Sequence, residues 1–310
     1  MIITNVTVLG GSGFVGTHIC SQLAARGYRV VVPTRRRESA KALTTLPTVD
    51  VITADLHDPE QLAAAIRGAD AVINLVGVLH DARGPAGFEG AHVGLARKVV
   101  AACEAEGVAR LLHMSALNAA ADGPSQYLKT KGRAEALVRD SSLAWTMFRP
   151  SVIFGAEDQF LNTFACLQRF TPVMLLAGAE ARFQPVHVSD VAAAFVAALE
   201  DPGSIGRSYD LVGPRVYTLR ELVKIAGRLS GHPRPVLGLG EGLGMLQAFM
   251  LEMAPIRLMS RDNVLSMKVD SVSSAPFPFG IVPSGIEAVA PGWLSTDGPR
   301  YSELRHRAGR

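Results

Sequence analysis

Residues 5–19 read NVTVLGGSGFVGTHI, and their reading decides the fold. A short β-rich run ends at Gly10, and Gly13 and Gly16 follow at three-residue spacing. Beyond them Val15, Ile19 and Leu23 recur on one helical face, with Gly27 as the stop. Glycines between a strand and a helix form the pattern that brings backbone onto a pyrophosphate. One permits the tight turn, one lets the backbone approach, and one lets helix and strand pack closely. The helix start then offers free N–H donors and the positive end of its dipole. Gly10, Gly11, Ser12, Gly13, Phe14, Val15 and Gly16 are therefore the expected dinucleotide cradle.

The surrounding chain repeats the strand–helix alternation. YRVVVPT, VDVITADL, DAVINLVG, ARLLHMSAL and LAWTMFRPSVIFG read as strands two to six. Helices are expected between them, one starting at Asp58 as N-cap with Pro59 behind it, and one long helix over AHVGLARKVVAACEAEG. The strands are near-continuous apolar runs, which predicts burial on both faces. The expectation is an α/β fold, a Rossmann-type doubly wound parallel sheet with a smaller C-terminal lobe. The expected domains are 1–175, with a return segment near 183–212, and a substrate or partner lobe at 213–310. Within that lobe EGLGMLQAFMLEMAP (241–255) reads as an apolar, Met-rich packing helix. A partner-binding or membrane-surface face is its sharper reading.

The second strand ends VVVPTRRRES (30–39). An NAD site expects a carboxylate near this point for the ribose 2′-hydroxyl. Arg35, Arg36 and Arg37 stand there instead, and a guanidinium matches a 2′-phosphate. NADP(H) is thus favoured over NAD(H), with Arg35 the first choice of contact and Arg36 the second.

A net charge of +3 over 310 residues argues against nucleic-acid binding. Cys20, Cys103 and Cys166 lie far apart and read as small, reduced, buried residues. The start shows neither a basic region nor a cleavable apolar segment, and no apolar run reaches membrane-spanning length. A cytoplasmic protein is expected, with membrane association through the Met-rich face as the variant. His18, His80, His113 and His187 lack metal-ligand spacing, so no metal is expected.

SQYLKTKGRAEALVRDS (125–141) follows the fifth strand and carries Tyr127 and Lys131 one helical turn apart. Ser115 closes that strand, at the sheet end where doubly wound folds bind ligands. A free phenol has a pKa of about 10, and a neighbouring ammonium is expected to lower it. Ser115 would then hold a carbonyl or hydroxyl while Tyr127 moves the proton and a nicotinamide carries hydride. Arg149, Glu157 and Asp158 are weaker site candidates.

With these motifs in place the chain resembles the extended short-chain dehydrogenase/reductase superfamily. The resemblance rests on the glycine turn, Asp55-Leu56, Ser115, Tyr127 with Lys131, FRPSVIFG and QPVHVSDVA. It implies Asp55 and Leu56 near the adenine and Lys131 on the nicotinamide ribose. Val76, Gly77, Pro150 and Val152 would line the cofactor. LLHMSALNA, YLKTKGRAE and FRPSVIFGAEDQFLNTFA are similar to the branch holding nucleotide-binding accessory subunits of respiratory complex I and their bacterial relatives. That branch implies a respiratory-complex or membrane-surface partner beside a small-molecule substrate. His92 stands where the superfamily has its fourth catalytic residue, an asparagine. The functional expectation is an NADP(H)-dependent oxidoreductase acting on a small carbonyl, alcohol or quinone-like compound. The alternatives are a non-catalytic nucleotide-binding assembly subunit and a nucleotide-sugar epimerase or dehydratase.

Overall fold

The structure, a computed structural model, describes residues 3–82, 84–253 and 259–295. Six strands, β1 (Asn5–Leu9), β2 (Arg29–Thr34), β3 (Val49–Thr53), β4 (Ala71–Asn74), β5 (Arg110–Met114) and β6 (Ala144–Pro150), join a seventh at Arg207–Leu211. The spatial order, from that last strand, is β6, β5, β4, β1, β2, β3. Every pairing is parallel, with Val6 opposite Val30 on one side and Ala71 on the other. The chain reverses its direction of winding between β1 and β4. A crevice opens at such a switch point, beyond the C-terminal strand ends.

Helices α1 (Phe14–Ala25), α2 (Pro59–Ile66), α3 (Leu95–Glu106), α4 (Gln126–Arg139), α5 (Leu161–Phe170), α6 (Val188–Glu200) and α7 (Leu219–Leu229) fill the connections. Asp58 caps α2 as expected, accepting from the Glu60 and Gln61 N–H groups, with Pro59 in the first position. The two faces of the sheet explain its apolar strands. Val6, Val8, Leu112 and Phe148 pack with Val15, Ile19 and Leu23 of α1 and Val191 and Phe195 of α6. Leu9, Val72 and Leu111 pack with Leu62, Val99 and Cys103 on the other side. Adjacent residues of one strand therefore serve opposite cores, and neither face can be polar.

Two expected elements are subdivided. The helix expected from Ala91 begins as a wide π turn, Glu89–Gly94, before becoming α3 at Leu95. The sixth strand leaves the sheet after Pro150, and Ile153–Phe154 pairs separately with Val186–His187. Ser151 turns away there, its hydroxyl donating to the Ser271 carbonyl at 2.8 Å.

Beyond the sheet, α5 and α7 enclose a further core of Phe154, Leu161, Leu222, Ala226 and Ile286. A parallel pair, Met174–Ala177 with Val236–Leu239, lies beside it and supports α8 (Glu241–Glu252). Helix α9 (Arg261–Ser266) follows. The last two residues of the Met-rich stretch, 254–255, and the C-terminal part of the expected lobe, 296–310, lie outside the described residues. Cys20 and Cys103 are buried as expected, and burial pushes both thiols up to about 12. Cys166 is exposed, against expectation, because it lies on the solvent face of α5 rather than the face that carries Leu161 and Ala165.

Candidate active site

The glycine turn sits at the switch point. Gly10 has φ +81°, where a side chain would be strained, and passes against the Leu75–Val76 backbone at the end of β4. A Cβ on Gly16 would lie 2.5 Å from the Gly11 Cα and closer still to the Gly10 carbonyl oxygen. Only hydrogen at that position lets α1 rest on the turn. Gly13 caps α1 without a side chain, and no acidic residue lies in the helix's first turn. The first N–H groups of α1 are thus presented with no counter-charge, a setting that suits phosphate. Ser12 is half-buried on the same turn. Val15 is buried in the core behind it, while Phe14 reaches across to within 3.1 Å of where a Cβ on Gly155 would lie.

Arg35 and Arg36 emerge at the end of β2, exposed, and join no ion pair among the described residues. The end of β3 lies beside them, since the Ala54 N–H donates to the Thr34 carbonyl at 3.0 Å. Asp55 folds back on its own loop, accepting from the His57 N–H at 3.0 Å, and Leu56 packs against the α2–α3 core. Arg35 is close enough for its charge to help depress the His57 imidazole, after burial as the larger cause. The expected 2′-phosphate and adenine residues therefore share one rim.

Across the switch point, the other half of the site is built on β4, β5 and α4. Lys131 is 3% exposed and donates to the Met114 carbonyl at 3.1 Å. A Cβ on Gly77 would lie 3.0 Å from the Lys131 Nζ and 3.6 Å from the His92 Nε2. Glycine here keeps the exit of β4 open over both. Ser115 is 2% exposed, and its hydroxyl has no hydrogen-bond partner among the described residues. A buried hydroxyl without a partner is costly unless something outside the chain supplies one. Tyr127 stands edge-on to Phe88 at 5.8 Å and to His92 at 5.5 Å. Pro150 and Val152 border the exit of β6, their carbonyls taken by the Leu117 and Val186 N–H groups at 3.0 Å each. The glycine cradle, the paired ends of β2 and β3 and the serine–tyrosine–lysine group thus all lie along the C-terminal edge of one sheet.

One electrostatic expectation is corrected. Burial pushes the Tyr127 phenol up to about 12, where the sequence predicts a value lowered by Lys131. The ammonium cannot dominate, because burial also brings Lys131 down to about 8, and that nitrogen is engaged by a carbonyl. His92, at the position where the superfamily has an asparagine, has both ring nitrogens occupied. Its Nε2 accepts from the Val78 N–H at 3.1 Å, which leaves the proton on Nδ1, facing the Thr130 hydroxyl at 2.8 Å. Burial, then Lys131, then His113 hold it down at about 2. It is a neutral brace between the β4 exit and α4.

His113 is likewise buried and depressed to about 3, by burial first and Lys131 second. The sign of the consequence is fixed. The unfolded imidazoles bind protons below about 6.5 while the folded ones stay neutral, so stability is full above that pH and falls below it. We expect the unfolding free energy from urea titrations to drop between pH 6.5 and 4.5, by at most about 1.4 kcal/mol per pH unit for each imidazole. His92→Gln should flatten that slope, and an unchanged slope would show that His92 takes up protons in the folded state.

Two of the weaker candidates, Arg149 and Asp158, are engaged elsewhere, while Glu157 is exposed. Arg149 makes a forked pair with Glu135, at 2.8 and 2.5 Å, and Glu135 is 2% exposed. The Asp158 carboxylate accepts from the N–H groups of Gly155, Phe160 and Asn162 in its own loop. Glu135 was missed although its signal was present, four residues after Lys131 on the same helix face. Thr130 and Asp262, which reach His92 and the start of α4, had no local signal. An open hollow of 620 Å³ lined by Tyr217, Lys224, Arg228 and Arg234 contains none of the predicted site residues. No group of three or more metal-ligating side chains assembles among the described residues. No helix among them is long and apolar enough to cross a membrane.

Residues 10–202 match a family model described as NAD(P)H-binding. A mitochondrial protein of Arabidopsis thaliana, NADH dehydrogenase [ubiquinone] 1 alpha subcomplex subunit 9, is 37% identical over 226 residues. The match covers 71% of this chain and 56% of that one, so the chain spans little more than half the length of this relative. A ceramide reductase of Caulobacter vibrioides is 32% identical over 64% of this chain and 61% of its own. Among solved structures, an NADPH-dependent quinone oxidoreductase of Escherichia coli, complexed with NADPH, superposes with a TM-score of 0.74 at 20% identity. It covers 92% of this chain and 98% of that one, and at that identity it speaks for the fold alone.

Proposed function

The chain belongs to the NAD(P)H-binding family, and from that membership we propose that it is an NADP(H)-dependent reductase of a small carbonyl or quinone-like compound. The observation that carries the reading is the buried Ser115 hydroxyl, without a partner among the described residues, one residue beyond the strand whose Met114 carbonyl anchors Lys131. An acceptor oxygen bound at Ser115 would restore the missing hydrogen bond. Tyr127 supplies the proton to that oxygen. Burial holds the phenol near 12, so it is protonated throughout the neutral range and available as a donor. Lys131, anchored at Met114, faces the β4 exit, where a nicotinamide ribose would lie. The cradle fits a dinucleotide: Gly10 to Gly16 would receive the pyrophosphate, Asp55 and Leu56 the adenine side, and Val76, Gly77, Pro150 and Val152 the nicotinamide side. The nicotinamide supplies the hydride when bound.

Arg35 and Arg36 would select the 2′-phosphate, both being exposed cations at the rim beside Asp55 that join no ion pair among the described residues. The Arg35→Ala/Arg36→Ala variant is expected to weaken NADPH binding by about tenfold or more, since hydrogen bonds to charged groups are worth roughly 1.5–3 kcal/mol each. NADH binding should change by less than about threefold. Fluorescence titration of both nucleotides decides, and equal losses for the two would remove the arginines from cofactor selection. The parent experiment releases and identifies any bound nucleotide, then follows NADPH absorbance as quinones, aldehydes and ketones are added.

A second reading has its own support. Leu243, Leu246, Met250 and Met253 form an exposed apolar stripe along α8, and the Arabidopsis relative is named as a respiratory complex subunit. In that reading the chain holds NADPH without turnover and docks on a respiratory assembly or a membrane surface. Nucleotide that neither reacts nor exchanges would favour it. An epimerase or dehydratase role, which retains NAD through its cycle, is disfavoured by the arginines after β2.

A further inference from the structure

Helix α4 begins at Gln126, and the N–H groups of its first turn have no partner inside the helix. Ser125 caps one of them, accepting from the Leu128 N–H at 3.2 Å. The other two, from Gln126 at 2.7 Å and Tyr127 at 3.0 Å, donate to the two carboxylate oxygens of Asp262. Asp262 lies on α9, 135 residues beyond Tyr127. Ser266, at the other end of α9, donates to the Ser125 hydroxyl at 2.7 Å. Arg261 ties α9 to α8, its backbone N–H and Nε donating to Glu252 at 2.7 and 2.8 Å. Farther on, the Asp270 carbonyl accepts from Asn118 Nδ2, and the Ser271 carbonyl from the Ser151 hydroxyl, at 2.8 Å each. Residues 260–271 thus form a strap across the start of α4 and the exits of β5 and β6.

Helix α4 has no acidic residue in its own first turn, so Asp262 brings the negative charge its positive dipole end favours. Tyr127 is the second residue of the helix. Lys131 lies one turn deeper and is anchored independently at Met114. Loosening the first turn would therefore move the phenol and leave the ammonium in place.

We propose that Asp262 is a positioning residue for Tyr127, holding the first turn of α4 so that the phenol meets an acceptor bound at Ser115. For its kinetic consequence the proposal rests on the reductase reading. The test compares the full-length protein with Asp262→Ala and Asp262→Asn. It measures NADPH oxidation, NADPH affinity, the thermal midpoint, and hydrogen exchange across residues 124–131 in the ligand-free protein. In Asp262→Ala we expect kcat to fall by roughly tenfold to a hundredfold, the scale of a misplaced reacting group. NADPH affinity should stay within about twofold, and exchange at 126–128 should quicken while the midpoint holds. Asp262→Asn, which keeps one acceptor oxygen, should recover part of the loss. Wild-type kcat and exchange in Asp262→Ala would overturn the proposal, as would parallel losses of affinity, midpoint and kcat. A wild-type protein that turns over no acceptor would overturn the reductase reading alone. Exchange then decides for Asp262: faster with a constant midpoint and partly restored by asparagine supports it, and unchanged exchange overturns it.

Discussion

Tyr127→Phe is expected to lower NADPH-dependent turnover by roughly a hundredfold or more while leaving NADPH affinity within about twofold. The size follows from what is removed. General acid catalysis by a placed side chain contributes on the order of a hundredfold to ten-thousandfold. Among the described residues the hydroxyl makes no hydrogen bond, and the ring is held by Phe88 and His92 through contacts that phenylalanine keeps. The substitution thus deletes a proton donor and little structure. Stopped-flow absorbance with saturating acceptor reads the loss, and nucleotide fluorescence reads the affinity. The pH profile supplies a second check. A phenol held near 12 predicts no loss of activity through Tyr127 deprotonation below pH 10, so an alkaline fall nearer 8 belongs to Lys131. Full turnover in Tyr127→Phe would assign the proton to another donor and remove the mechanism proposed for this site.

Gly16→Val is expected to weaken NADPH binding by roughly a hundredfold, and even Gly16→Ala by about tenfold. A Cβ there would overlap the Gly10 carbonyl and come within 2.5 Å of the Gly11 Cα, both backbone atoms with no rotamer to change. Helix α1 would have to lift from the turn, carrying its free N–H groups away from the phosphates. Overpacking of this kind costs about 1–3 kcal/mol. Gly242, on α8, has open space where its Cβ would stand, so Gly242→Ala is the control that should bind normally. Far-ultraviolet circular dichroism separates a displaced helix from an unfolded chain. Wild-type affinity in Gly16→Ala would mean that the start of α1 is not the phosphate site.

The parallel sheet, the glycine turn and the helix after the fifth strand could be read directly because each is a local pattern. Val6 and Val8 next to Leu9, or Leu111 next to Leu112, are apolar neighbours that serve opposite cores. The Asp58-Pro59 start of α2 was legible for the same reason, since a cap contacts only the next few residues. Ser115, Tyr127 and Lys131 could be gathered at one end of the sheet by counting strands and one helical turn.

Protonation was decided by distant parts of the chain. The spacing of Tyr127 and Lys131 implies an ammonium that lowers a phenol. Burial by the surrounding elements instead raises the phenol and depresses the lysine, because removing either from water penalises its charged form. His92 likewise depends on Val78 and Thr130, 14 and 38 residues away, which together occupy both ring nitrogens. Arg149 is engaged by Glu135, and the first turn of α4 by Asp262 from a separate helix. Local sequence determined which groups reach the crevice, since strand order and helical period are short-range properties. Only the tertiary structure decided how those groups are charged and held, since their burial and the capping of α4 are completed by residues far along the chain.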